Sequence, residues 1–200
     1  TINNDGSASA TVTTISEGLQ YDGKYNLEKL TKDELINTYK NRWSNLMSIS
    51  LEEMKLSNNR EEIVFTEVVK LSLPSITSKV GDDMLLELNS FNQSGYIPPR
   101  ISDRKQKLEL QMAFTDFDEV LITLPKNFKF DSLPENKKLQ TKFGTYSMNV
   151  EVVDDTTIKY KRELLMNKGV FPPEDYNDFR TFRRAIVKMD QTKILLKPIE

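Results

Sequence analysis

Cysteine and histidine are both absent from the 200 residues of this chain. Without cysteine there is no disulfide, no thiol nucleophile and no thiolate metal ligand. Without histidine the side chain best suited to proton transfer near neutral pH is missing. No Gly-x-Ser-x-Gly elbow, phosphate loop or dinucleotide fingerprint occurs. No catalytic residue, metal ligand set or cofactor is therefore assigned. Neither sign of charge dominates: 28 basic and 30 acidic residues leave a net charge of -2. That balance offers no electrostatic footprint for nucleic acid or for an anionic membrane. No stretch approaches the roughly 18 apolar residues of a membrane span. A signal peptide is missing too. The opening Thr1-Ile2-Asn3-Asn4-Asp5-Gly6 has no initiator Met and leads into a strand-like run. The chain is expected to be the C-terminal piece of a longer protein. The lack of cysteine leaves the compartment open.

What is present describes a folded chain. Apolar residues make up 38% and are spread along the whole length, enough for one large domain or two small ones. Ala8 to Ile15 is small, β-branched and uncharged, and reads as a strand. Thr31 and Glu34 have the spacing of a capping box, flanked by Leu30 and Leu35 as a hydrophobic staple. Leu35, Tyr39, Trp43 and Leu46 then form one apolar stripe, so a helix is predicted from about Lys32 to Met47. Ile49 to Leu56, Glu62 to Leu73 and Met84 to Phe91 read as strands. Turns fall at Asn58-Asn59 and Gly81-Asp82-Asp83, and Pro74 closes the second strand.

The second half is more regular. Leu108 to Phe114 and Val120 to Leu124 alternate as strands, followed by Lys138 to Phe143, Tyr146 to Val153 and Thr157 to Met166. Pro172-Pro173 opens a helix whose buried face is Tyr176, Phe179, Phe182 and Ile186. Lys193 to Pro198 closes the series. The pattern predicts a mainly β, antiparallel, sandwich-like fold of two subdomains with two α-helices. Residues 1–92 form an N-terminal β subdomain with one helix, 93–104 a linker loop, and 105–200 a C-terminal sandwich-like domain with one helix.

Each candidate constellation has a plain competitor. Carboxylates at Asp82-Asp83, at Asp116, Asp118 and Glu119, and at Asp154-Asp155 suggest a calcium or acid/base site, but acidic residues also populate turns, and that reading is preferred. Trp43 suits a sugar platform, yet its helical spacing makes it core. Arg180, Arg183, Arg184 and Lys188 suit a polyanion, but a solvated helix face near its C-terminus explains them. The loop Tyr96 to Arg104 is different. It combines an aromatic, two prolines and two arginines without regular structure, and long loops in compact domains are often functional. Tyr96, Arg100 and Arg104 are the candidate interface residues, with a passive linker as the equal rival.

The stretches Leu124-Pro125, Leu133-Pro134, Phe143-Gly144, Tyr160-Lys161-Arg162, Gly169 to Tyr176, Phe179-Arg180-Thr181-Phe182 and Ile194-Leu195-Leu196 together resemble a particular family. It is the C-terminal domain of unknown function that follows a transglutaminase-like core in secreted proteins of Gram-negative bacteria. The resemblance implies a non-catalytic accessory module that supports or orients an upstream transglutaminase-like domain of the same chain, or its substrate. It also implies a periplasmic or secreted location. The family's Cys-His-Asp machinery would lie upstream, and no residue here matches it. An independent carbohydrate- or peptide-binding module is the alternative from another class, and an enzyme ranks third.

Overall fold

The computed structural model describes residues 1–199. The chain is mainly β with antiparallel sheets, as its alternating apolar runs require. It divides into two compact units, Thr1–Met84 and Leu85 onward. The division falls ahead of the expected linker at 93–104, so those residues belong wholly to the second unit.

In the first unit β1 (Ala8–Glu17), β2 (Ser50–Asn59) and β3 (Val64–Leu73) form a three-stranded sheet with β3 in the middle. β4 (Thr77–Val80) follows Pro74 and turns back at Gly81, whose φ of +66° suits glycine. The inner row of β3 is Phe65, Glu67, Val69, Leu71 and Leu73, all buried. α1 (Lys32–Arg42) covers that row. Its start is the capping box: the Thr31 hydroxyl accepts from the Glu34 N–H, and Glu34 Oε2 accepts from the Thr31 N–H at 2.8 Å. The helix stops at Arg42 rather than Met47. Trp43 leaves helical geometry at φ -106° and ψ 41°, and Ser44 and Asn45, which compete for backbone hydrogen bonds, do not restore it. Trp43 is buried and stacks on Tyr39 at 5.4 Å, the core position its spacing indicated.

The second unit opens within β5 (Asp83–Glu87). Its main sheet has the order β7-β11-β10-β9, from Phe114–Thr123, Thr157–Met166, Gly144–Val152 and Lys137–Thr141. β5, β13 (Lys193–Pro198) and β8 (Phe128–Phe130) make a second sheet, and β6 (Leu108–Leu110) pairs with β12 (Gly169–Phe171). The run 108–114 is strand only to Leu110, and Phe114 instead begins a ten-residue β7. Three carboxylates hid that strand in the sequence. Gly144 sits where a Cβ would run into the Leu165 carbonyl, which lets β10 and β11 close up. α2 (Tyr176–Asp190) buries Tyr176, Phe179, Phe182 and Ile186 as its stripe demanded, and Phe179 meets Phe143 edge-on at 5.4 Å.

Glu67 is the anomaly of the first unit: a carboxylate in the middle of an apolar row, 1% exposed. It accepts from Tyr39 Oη at 2.8 Å, Arg42 at 2.9 Å and Lys24 Nζ at 2.8 Å. Burial alone would push its pKa up, but Lys24, Arg42 and Tyr39 outweigh burial and hold it below the ordinary 4.5. A lowered folded-state pKa adds stability that is complete above the unfolded value and lost as pH falls through the folded one. Urea unfolding followed by Trp43 fluorescence should therefore weaken on acidification below about 4.5. Glu67→Gln should cost roughly 1–3 kcal/mol at neutral pH and flatten that acid limb. An unchanged limb in the variant would show that Glu67 is not its source.

Candidate interaction site

β11 places Ile158, Tyr160, Arg162, Leu164 and Met166 on one buried face. Arg162 is thus a guanidinium in a row of core side chains, 2% exposed. Such a group persists only if its donors are met by carboxylates in good geometry. They are. Nε donates to Asp190 Oδ1 at 2.7 Å and a terminal nitrogen to Asp190 Oδ2 at 3.2 Å. The other terminal nitrogen donates to Asp118 Oδ2 at 2.7 Å. Asp190, the last residue of α2 and fully buried, also accepts from Tyr146 Oη at 2.7 Å and from the Ser94 N–H at 2.8 Å.

Burial by itself would lower the Arg162 pKa, but Asp190 and Asp118 reverse this and raise it. Burial raises Asp118 above the usual aspartate value despite Asn92 and Arg162. Burial and then Asp190 push the Tyr146 phenol up. Burial lifts Tyr160 to about 12. The Tyr160 hydroxyl is enclosed and has no hydrogen-bond partner among the described residues. The titratable groups are clustered and perturbed; Arg162, Asp190 and Tyr146 satisfy one another in the core, and Asp118 lies at the partly exposed end of the network. The network fastens a sheet, a helix end and a loop together.

The loop it fastens is 88–107. Asn92 Nδ2 donates to Asp118 at 2.9 Å, and Asn89 and Asn92 close a turn through two side chain–backbone bonds. Further along, α2 holds the loop by its backbone. Tyr176 Oη donates to the Pro99 carbonyl at 2.8 Å, Arg180 Nε to the Pro98 carbonyl at 2.9 Å, and Arg183 to the Tyr96 carbonyl at 3.5 Å. Arg180 and Arg183 are therefore half-buried clamps, and only Arg184 and Lys188 match the expected solvated face. Asp118 likewise lies within a strand and binds Arg162, whereas Asp154 caps a turn through the Thr156 N–H at 2.8 Å.

The three candidate residues part company. Tyr96 is 62% exposed and Arg100 is exposed. Arg104 turns inward, donating to the Gln106 and Lys107 carbonyls at 2.9 and 3.1 Å, with its guanidinium 4.5 Å over the Tyr176 ring. Beside it lies an open hollow of about 380 Å³ between residues 101–105 and the start of α2. On β7, which Asn92 ties to the loop, Phe117 and Leu121 stand 65% and 58% exposed on one face. Among the described residues no cluster of three or more potential ligands could hold a metal, and no helix is long and apolar enough to cross a membrane.

A mainly β unit with a charge-pinned loop is thus the class that fold and site define. Residues 82–196 match the family DUF3858, described as a domain of unknown function with solved-structure structure, and the chain belongs to that family. Comparison with curated proteins and with solved structures found no match.

Asp190→Asn removes the charge that balances Arg162 while keeping the shape. The variant should lose about 3–5 kcal/mol, the usual cost of stranding one partner of a buried pair, in urea unfolding followed by circular dichroism. A loss under about 1 kcal/mol would mean that the network is no more than a surface ion pair in energy.

Proposed function

We propose that this chain is a non-catalytic accessory module that docks a transglutaminase-like catalytic domain through the loop 93–104. The observation that carries the reading is the loop's division of labour. Its backbone carbonyls are taken by Tyr176, Arg180 and Arg183, while the side chains of Tyr96 and Arg100 face solvent. A segment already held in one conformation loses little entropy on binding, and Tyr and Arg are enriched among interface hot spots. Phe117 and Leu121 add exposed apolar surface on the strand beside the loop's start. The sequence resemblance supplies the partner's class, an upstream transglutaminase-like domain of the same chain, and a periplasmic or secreted setting.

A carbohydrate-binding module has less in its favour. Trp43 is buried against Tyr39, and Tyr176 is buried beneath Arg104, so neither offers an open ring face. Tyr96→Ala and Arg100→Ala in the purified chain should each weaken its binding to a separately expressed transglutaminase-like domain by about 1 kcal/mol or more, with circular dichroism unchanged. Unaltered affinity in calorimetric titration would leave the loop a passive connector.

A further inference from the structure

The edge of a sheet offers a row of unpaired N–H and C=O groups to which another extended chain can bond. β7 ends the four-stranded sheet of the second unit, in the order β7-β11-β10-β9. Two hydrogen bonds fix which of its backbone groups are taken. The Leu124 N–H donates to the Thr156 carbonyl at 2.8 Å, so the register that pairs Thr123 with Thr157 turns the even-numbered residues Phe114 to Ile122 toward β11. The Asn167 N–H donates to the Phe143 carbonyl at 2.8 Å, which turns the odd-numbered residues of β11 toward β10 and the even-numbered ones toward β7, in agreement. Thr115, Phe117, Glu119, Leu121 and Thr123 therefore present their N–H and C=O groups to the open side. No hydrogen bond among the described residues takes them.

The side chains along this row decide what the edge accepts. Thr115, Phe117, Glu119 and Leu121 are exposed on the outer face of the sheet. The ion pair from Glu119 to Lys159 is long at 3.4 Å and leaves the Glu119 side chain 42% exposed. β7 as a whole carries Asp116, Asp118 and Glu119 and no basic residue. Acids on an edge repel an acidic strand, a second β7 included. An edge barred to every strand would not also leave two large apolar side chains in the open on either side of Glu119. The pattern selects: it turns acids away and suits a base between apolar neighbours.

We propose that the β7 edge takes up an extended segment of a partner protein as an added antiparallel strand, with a lysine or arginine opposite Glu119 and apolar side chains opposite Phe117 and Leu121. The inference goes beyond the loop contact and stands without it. The direction follows the sheet, in which β7, β11, β10 and β9 all pair antiparallel. Main-chain bonds supply the affinity, and the outward row of side chains supplies the choice of sequence. One strand pair is a small interface, so the complex is weak and exchanges readily.

The peptide TTVTKTVKT, blocked at both ends, meets this description, and TTVTETVET is its acidic counterpart. Titrated into the isotopically labelled chain up to about 1 mM, the basic peptide should shift the backbone amides of Phe117, Glu119 and Leu121 in NMR spectra and slow their hydrogen exchange. The amides of Asp118 and Val120, already bonded to β11, should keep the protection they have. The acidic peptide should bind roughly fivefold more weakly or less. Glu119→Lys should reverse that preference with circular dichroism unchanged. Leu121→Pro removes an N–H on the open side only and should abolish binding of both peptides, the lysine variant standing alone if the proline variant does not fold. A basic peptide that leaves these amides unmoved at about 1 mM overturns the proposal. So does binding whose preference Glu119→Lys does not change.

Discussion

Everything distinctive in the second unit rests on one buried cation. Arg162 occupies an inward position of a central strand, where the alternation of β11 calls for an apolar side chain. Removing a guanidinium from water costs several kcal/mol unless its donors are met. The fold meets them with Asp190 from the end of α2 and Asp118 from β7. The first unit repeats the logic with the opposite sign. Glu67 lies in the inner row of β3, again a central strand, and collects Tyr39 and Arg42 from the α1 segment and Lys24 from the turn before it. In each unit a buried charge on a central strand gathers a helix and a connecting segment onto the sheet. Such pairs add less to net stability than their number suggests. Their effect is geometric, because only one arrangement leaves no charge uncompensated.

That constraint shapes what the surface can do. A loop of some twenty residues joins β5 to β6. Without fasteners it would be costly to order. Ser94 is bonded to Asp190, Asn92 to Asp118, and the Tyr96, Pro98 and Pro99 carbonyls to α2. The exposed side chains of Tyr96 and Arg100 are therefore presented from a fixed backbone. The proposed docking role depends on that rigidity more than on the identity of either residue.

Much of the architecture was legible because local signals agreed with the fold. Thr31 and Glu34 marked the start of α1, Pro172-Pro173 preceded α2, and Tyr176, Phe179, Phe182 and Ile186 named its buried face. The strand expected at 62–73 from its Val, Ile and Phe content runs from Val64 to Leu73, and the one expected at 157–166 has those bounds. β7 was cut short because Asp116, Asp118 and Glu119 break an apolar pattern, and the cation that makes an inward Asp118 tolerable lies 44 residues away. β8, β12 and β4 are too short to show a period. The loop was singled out by composition alone, while the network beneath it was missed. One signal did exist: an arginine at an inward strand position between Tyr160 and Leu164 implies a buried acid elsewhere. Which acid, no local pattern could say, because Asp190 becomes its partner only through the packing of α2.

The central claim is that the Arg162 network holds the loop as firmly as the sheet. The Ser94 amide tests it most directly, since its acceptor is the buried Asp190 carboxylate. Native-state hydrogen exchange read by NMR should give this amide the protection of the β11 ladder, with an opening free energy near that of global unfolding. Exchange at the rate of an unstructured loop would contradict the account, because the carboxylate would then not be holding the chain.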